Sequence, residues 1–150
     1  MRRVQLVIDS ELADVSLVAV AVNGICVHSG FDHIGASQIE LCTAEAITNA
    51  IRHAYHGQRG LTVSVVVSVY TNHIQVDVCD NGKPMSSDQI ERFVGGTEVA
   101  EVGRVNLASI PEGGRGLQIM RDLMDTVAYI REGDVNRLQM TKKFPIIGVD

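Results

Sequence analysis

The feature that most constrains the fold is a pair of alternating strands in the middle of the chain. Residues 61–70 are dense in valine, and residues 74–78 follow after the turn Thr71-Asn72. The polar positions of the two runs are Thr62, Ser64, Ser68, Gln75 and Asp77. The spacing predicts an antiparallel hairpin with one apolar face, because successive side chains of a strand point to opposite sides. Helices from elsewhere in the chain must cover that face.

Three segments have the composition and spacing of such helices: residues 12–28, 32–55 and 117–125. Asp9 and Ser10 are N-cap candidates for the first helix. Its apolar residues extend beyond a single face, which predicts either full burial or a partner surface.

The second helix combines a core flank with a polar stripe. We expect it to end at His56-Gly57, with a break near residues 35–37. Glu45, Asn49 and His53 recur every fourth residue. The predicted core flank beside them consists of Leu41, Ala44, Thr48, Ile51 and Tyr55. A carboxylate and a carboxamide one turn apart supply oxygen ligands or a proton acceptor, and an ordinary polar helix edge has the same pattern.

The remaining strands complete the fold class. Val4 to Ile8 is predicted to be strand one, and residues 126–130 and 135–144 form a second hairpin. Strands beside three helices, without β-α-β spacing, predict an α+β two-layer sandwich with a mixed, mostly antiparallel sheet and helices on one face. The length of 150 residues predicts a single domain, residues 1–150.

Composition excludes several classes of function. The net charge of −5, without a cluster of basic residues, argues against direct nucleic-acid binding. The longest apolar run, residues 15–27, is shorter than a membrane span, and no signal peptide precedes it, so a cytoplasmic protein is expected. Cys26, Cys42 and Cys79 lack metal-site spacing and are predicted to be plain reduced cysteines.

Two further segments carry chemistry. In residues 76–84 an alternating strand runs into the acidic turn Asp80-Asn81-Gly82. In residues 113–120 a glycine cluster opens directly into an apolar helix, an arrangement that presents free backbone N–H groups to phosphate.

In this order, the three segments resemble the ATP site of the GHKL, or Bergerat-fold, nucleotide-binding proteins. Within that superfamily the chain is most similar to the small anti-sigma-factor serine kinases. Their motif E-A-x-T-N-A-x-x-H-A-Y reads here as residues 45–55, Glu-Ala-Ile-Thr-Asn-Ala-Ile-Arg-His-Ala-Tyr. The resemblance covers essentially the whole chain.

The resemblance implies roles for particular residues. Asn49 is expected to bind Mg²⁺ and Glu45 to be the general base for a serine hydroxyl. Asp80 resembles the family's adenine reader, with Gly82 allowing close backbone approach. Gly114 and Gly116 are expected to place backbone amides against the phosphates of ATP or ADP, while Arg115 points either to phosphate or to solvent. His53 is interpreted as a structural histidine.

The same resemblance assigns residues about 85–112 to a mobile ATP lid, in which residues 86–88 cap a short helix through Phe93. Two positions depart from the family pattern. Glu112 stands where some relatives have an arginine that contacts the γ-phosphate, so the cation is Arg115, Arg104 or Lys83, or it is missing and turnover is slow. Asn136 stands where the family often has a threonine near adenine.

The implied function is that of an ATP-dependent protein-serine kinase and anti-sigma factor. Such a protein phosphorylates a small antagonist of the STAS fold, sequesters a sigma factor or a similar regulator, and is expected to form a homodimer. A nucleotide-binding switch that transfers no phosphate is the first alternative, favoured by Glu112 and opposed by Glu45. A detached histidine-kinase catalytic domain is the second.

Overall fold

The computed structural model describes residues 1–86, 88–89, 99–101 and 115–147, with the backbone alone for 99–101 and Arg115. Its strands are β1 (Arg2–Asp9), β2 (Thr62–Val69), β3 (His73–Asp80), β4 (Val99–Glu101), β5 (Thr126–Glu132) and β6 (Val135–Lys143). Its α-helices are α1 (Val15–Ser29), α2 (His33–Asn49) and α3 (Arg115–Leu123).

The strands form one sheet in the order β1-β2-β3-β6-β5-β4, and every described pairing is antiparallel. The predicted hairpin is present, with Val65 opposite Val78 and Val67 opposite Val76. These four valines are buried, so they form one apolar face against the helices. The predicted α+β two-layer sandwich is therefore confirmed.

Helix α1 supplies part of the core and part of the surface. Its buried residues are Val15, Val18, Ala19, Val22 and Cys26. Leu17 and Val20 are 68% and 61% exposed, which matches the expected excess of apolar surface. By length and composition alone, Leu12–Ser29 is apolar enough to cross a membrane, a test that core helices of soluble proteins also pass. Of this segment, 28% is buried inside the protein.

Two predicted helix boundaries were wrong. Asp14 is the N-cap of α1, after a 3₁₀ turn at Leu12–Asp14. Ser10 instead joins the end of β1 to the start of β2, since its hydroxyl donates to the Gln58 carbonyl at 2.7 Å and accepts from the Leu61 N–H at 3.2 Å. Helix α2 runs unbroken through residues 35–37, because Asp32 caps it by accepting from the Gly35 N–H at 2.7 Å.

The predicted core flank of α2 was also displaced. Leu41 is 44% exposed. The buried residues of α2 are Gly35, Ala36, Ile39, Cys42, Thr43, Ala46 and Ile47. The buried residues of α2 therefore lie on a different arc of the helix from the predicted one, and Leu41 is an exposed apolar residue outside that arc.

Helix α2 continues into a π-helical turn, Ala50–Ala54, which the sequence pattern did not indicate. Its signature is the bond from the Tyr55 N–H to the Ala50 carbonyl, 3.0 Å long. The predicted stop follows, with positive φ angles of 53° at His56 and 74° at Gly57. Such widened turns often occur at functional sites, since they redirect the residues that follow.

The predicted ATP lid falls mostly outside the described residues. Within it, Ser86 and Gln89 cap a helical turn reciprocally, with bonds of 3.2 and 2.8 Å between backbone N–H and side-chain oxygen. The predicted continuation to Phe93 lies outside the described residues. Strand β4, which the sequence did not predict, lies inside this segment and pairs with β5.

Candidate functional site

Two polar side chains on α2 stand one turn apart and have no hydrogen-bond partner among the residues that the structure describes. Glu45 and Asn49 are both half-buried. Neither side chain makes a hydrogen bond or ion pair with the described part of the chain. A half-buried carboxylate and carboxamide are normally bonded, so within the described part of the chain this pair keeps its hydrogen-bonding capacity for another group.

The first turn of α3 lies against this pair. A Cβ atom placed on Gly116 would be 2.5 Å from Oε2 of Glu45 and 3.6 Å from Nδ2 of Asn49. Any larger residue would displace the carboxylate, so glycine at this position lets the helix approach Glu45 closely. The structure thus brings Glu45, Asn49 and Gly116 together. Gly114 lies outside the described residues, as do Arg104 and Glu112, and the side chain of Arg115 is not described.

Asp80 ends β3 with one carboxylate oxygen bonded and the other open. Its Oδ1 accepts from the Gly82 N–H and from Nδ2 of Asn136, both at 2.8 Å. Its Oδ2 has no partner among the described residues. Burial raises the pKa of Asp80, and the two hydrogen bonds oppose that rise. The open oxygen is an acceptor suited to an amino group of a ligand.

Asn136 bonds directly to Asp80, a contact that the sequence did not predict. It is 2% exposed, and its Nδ2 bonds both to Asp80 and to the Gly82 carbonyl, at 2.9 Å. Because both partners are acceptors, the orientation of the amide is fixed. Its buried Oδ1 has no partner among the described residues. Asn136 therefore positions Asp80 and leaves a second buried acceptor free.

Gly82 lies against the end of the α2 extension. A Cβ at this position would be 2.5 Å from the Ala54 carbonyl oxygen and 2.8 Å from the Ala54 side chain. The same carbonyl accepts from the Lys83 N–H at 2.9 Å. Gly82 is thus pressed onto backbone, and only glycine fits.

One helix connects the two ends of the site. Ala54, which touches Gly82, follows Asn49 by five residues, roughly 7 Å along a helix axis. After the roles that the sequence predicts for them, we call Glu45, Asn49 and Gly116 the phosphate end; we call Asp80, Gly82 and Asn136 the adenine end. The two ends therefore lie along a single rigid element.

Two other residues that the sequence singled out, His53 and Lys83, are both exposed. His53 is exposed and makes no side-chain hydrogen bond with the described residues, so the interpretation as a packed or hydrogen-bonded structural histidine was wrong. Lys83 is exposed and directly follows Gly82, which puts it at the adenine end. An open cavity of about 530 Å³ lies beside this loop and is lined by Tyr55, Gly82 and Lys83 but not by Glu45, Asn49 or Asp80. This cavity therefore borders the predicted site at Gly82 but does not include Glu45, Asn49 or Asp80.

The donor set fits a magnesium nucleotide. Asp80 and Asn136 offer buried acceptors to a base, and backbone at Gly116 can approach phosphate closely. The described residues contain no group of three His, Cys, Asp or Glu side chains that would hold a metal by themselves. A single amide oxygen from Asn49 suits Mg²⁺, which takes its other ligands from phosphate and water.

Sequence reasoning missed two tyrosine hydroxyls. That of Tyr55 accepts from the Asn81 N–H, and that of Tyr129 from the Met85 N–H, both at 3.0 Å. Tyr55 was predicted to pack in the core, and it is buried. Its place as the last residue of the family motif was the available signal for a further role. Tyr129 lies within an ordinary strand pattern, which contained no signal for a further role.

Comparison with known proteins supports the same family. The sequence profile of the histidine kinase-like ATPase domain matches residues 8–142. The serine-protein kinase RsbW of Listeria innocua is 31% identical over 120 residues, which cover 79% of this chain and 74% of the relative. That of Bacillus thuringiensis is 25% identical over 140 residues, covering 93% and 84%. The chain belongs to the histidine kinase-like ATPase domain family, together with these RsbW relatives.

Proposed function

We propose that the protein is an ATP-dependent protein-serine kinase and anti-sigma factor, built as a single ATP-binding domain. The observation that carries this proposal is the pairing of Glu45 and Asn49, which lie against Gly116 in the first turn of α3 and have no partner among the described residues. A phosphoryl-transfer site needs positioning and charge neutralisation more than covalent chemistry. The relatives named as serine-protein kinases support the same activity.

The chain's own residues divide the work between the two ends. Asp80 accepts from the adenine amino group through its open oxygen, and Asn136 holds that carboxylate in place. Asn49 would supply an amide oxygen to Mg²⁺. Glu45 would orient the serine hydroxyl and accept its proton at Oε2. Bound Mg-ATP would supply the γ-phosphoryl group to the serine oxygen, with ADP as the leaving group.

The protein partners follow from the family. The substrate is a serine on an antagonist protein of the STAS fold, and the sequestered partner is a sigma factor or a similar regulator. If the two partners prefer different nucleotide states, occupancy of the ATP site must shift the affinity for each partner, and each partner must shift nucleotide affinity by the same factor.

The protein acts as a cytoplasmic homodimer in this proposal. Support comes from the exposed apolar residues of α1 and its surroundings, including Leu12, Leu17, Val20 and Leu41. Scattered apolar residues are normal on a monomer, whereas several on one helix surface are typical of an interface. Sedimentation of the wild-type protein tests this point.

A single-turnover assay tests the kinase. The wild-type protein, saturated with radiolabelled Mg-ATP, should transfer label to a serine of a STAS-fold antagonist, and Glu45→Ala should lose transfer while it keeps nucleotide binding. Glu40→Ala is the matched control, because Glu40 lies on the same helix and instead accepts from Asn23 at 2.8 Å. Binding of ATP without transfer by the wild type would favour the non-catalytic switch, as Glu112 does. No ATP binding would contradict both.

A further inference from the structure

The segment after Asp80 is irregular, yet all its backbone donors are bonded. The Gly82 N–H bonds to Asp80 and the Lys83 N–H to the Ala54 carbonyl. The N–H groups of Asn81 and Met85 bond to the hydroxyls of Tyr55 and Tyr129. Residue 84 is proline and has no N–H. An irregular segment with every donor satisfied has one preferred shape before any ligand arrives.

Tyr55 ties this segment to two other elements. It is 6% exposed, and its hydroxyl donates to the Thr62 carbonyl at 2.6 Å while it accepts from Asn81. Thr62 begins β2, and Tyr55 itself directly follows the π-helical turn. The tyrosine therefore joins the end of the α2 extension, the start of β2 and the residue after Asp80.

Tyr129 holds the other end of the segment. It is half-buried on β5 and accepts from the Met85 N–H. Burial raises the pKa of both tyrosines, and the charge of Asp80 adds to the rise in each case. Both phenols therefore stay protonated at neutral pH, and both lie close enough to Asp80 to respond to its charge.

We propose that Tyr55 and Tyr129 are positioning residues, whose hydroxyls hold residues 81–85 in the shape that places Asp80 and Gly82 against adenine. This inference rests on the proposed ATP site. Neither tyrosine takes part in phosphoryl transfer. Their contribution is to nucleotide affinity, because an adenine end already in its binding shape loses less conformational freedom when the base binds.

Amide hydrogen exchange on the nucleotide-free protein tests the contact directly. Tyr55→Phe should speed exchange at Asn81, and Tyr129→Phe should speed it at Met85, each by about tenfold, the worth of one hydrogen bond. Tyr70→Phe is the matched control, since Tyr70 stacks on His73 with ring centroids 4.5 Å apart and its hydroxyl bonds to none of the described residues. Unchanged exchange at Asn81 and Met85 would overturn the proposal.

Titration with ADP and with ATP tests the consequence, at a temperature where circular dichroism shows all variants folded. Each of the two variants should raise Kd by about three- to tenfold, equally for ADP and ATP, and Tyr70→Phe should not. An effect confined to ATP would place it at the phosphates and contradict the role. Unchanged Kd values would overturn the positioning role while the kinase proposal stands. A wild type that binds neither nucleotide would contradict both.

Discussion

The two ends of the site are built in opposite ways. At the adenine end, Asp80 and Gly82 bond to each other and to Asn136 on β6, and the next residue, Lys83, bonds to the Ala54 carbonyl. At the phosphate end, Glu45 and Asn49 have no partner among the described residues. The difference separates recognition, which benefits from a preformed shape, from transfer, in which the side chains must be free to meet a metal ion and a hydroxyl group.

The largest expected effect is a loss of phosphoryl transfer, and it comes from a substitution at the phosphate end alone. Glu45→Gln keeps the size of the side chain beside Gly116 but removes the proton acceptor. Phosphoryl transfer should fall by at least about 100-fold, and the Kd for ADP should change little. Single-turnover transfer and nucleotide titration on the same preparation measure both. If Glu45→Gln reduced phosphoryl transfer and ADP affinity by the same factor, the phosphate end would not act separately from the adenine end.

A methyl group at Gly82 should disturb the adenine end through the backbone. The added carbon meets the Ala54 carbonyl, which cannot move without the helix, so Gly82→Ala should lower the free energy of unfolding by about 1–3 kcal/mol and weaken ADP binding. Urea unfolding measures the first effect. Gly24→Ala is the control, because a Cβ there meets nothing within 4 Å, and it should raise stability by up to about 1 kcal/mol.

The same substitution at Gly116 should have a different outcome. There the added carbon meets Oε2 of Glu45, the far end of a flexible side chain that can rotate away. We expect Gly116→Ala to change the free energy of unfolding by less than about 1 kcal/mol and to slow transfer by about tenfold, because the carboxylate is displaced. A decrease in the free energy of unfolding as large as that of Gly82→Ala would contradict the comparison.

The smallest effect concerns the stability of the nucleotide-free protein. Because burial raises the pKa of Asp80 above its ordinary value of 3.8, ionisation of Asp80 opposes folding. The wild type therefore loses stability as pH rises through the raised pKa, and Asp80→Asn does not. The variant should have the higher Tm near pH 7, with the difference vanishing below about pH 4. Thermal unfolding between pH 4 and 8 measures it, and a lower Tm at neutral pH would contradict this account.

The sequence predicted the elements well because strand alternation and helix spacing are local patterns. The hairpin of β2 and β3 was predicted from residues 61–70 and 74–78, and the candidate residues of both ends came from residues 45–55, 76–84 and 113–120. The features that the sequence did not predict depend on contacts between distant segments. The π-helical turn before Tyr55, the bond from Tyr129 to Met85 and the direct bond from Asn136 to Asp80 have no periodic signature. The exposure of Leu41 was missed because its neighbours on α2 complete the core without it.

The central claim is that one nucleotide spans both ends, and amide NMR during titration with Mg-ADP tests it most directly. The resonances of Gly82 and Gly116 should shift together, with the same Kd, and saturate at one nucleotide per chain. Shifts that follow two different binding curves, or a shift at Gly82 with none at Gly116, would contradict the claim.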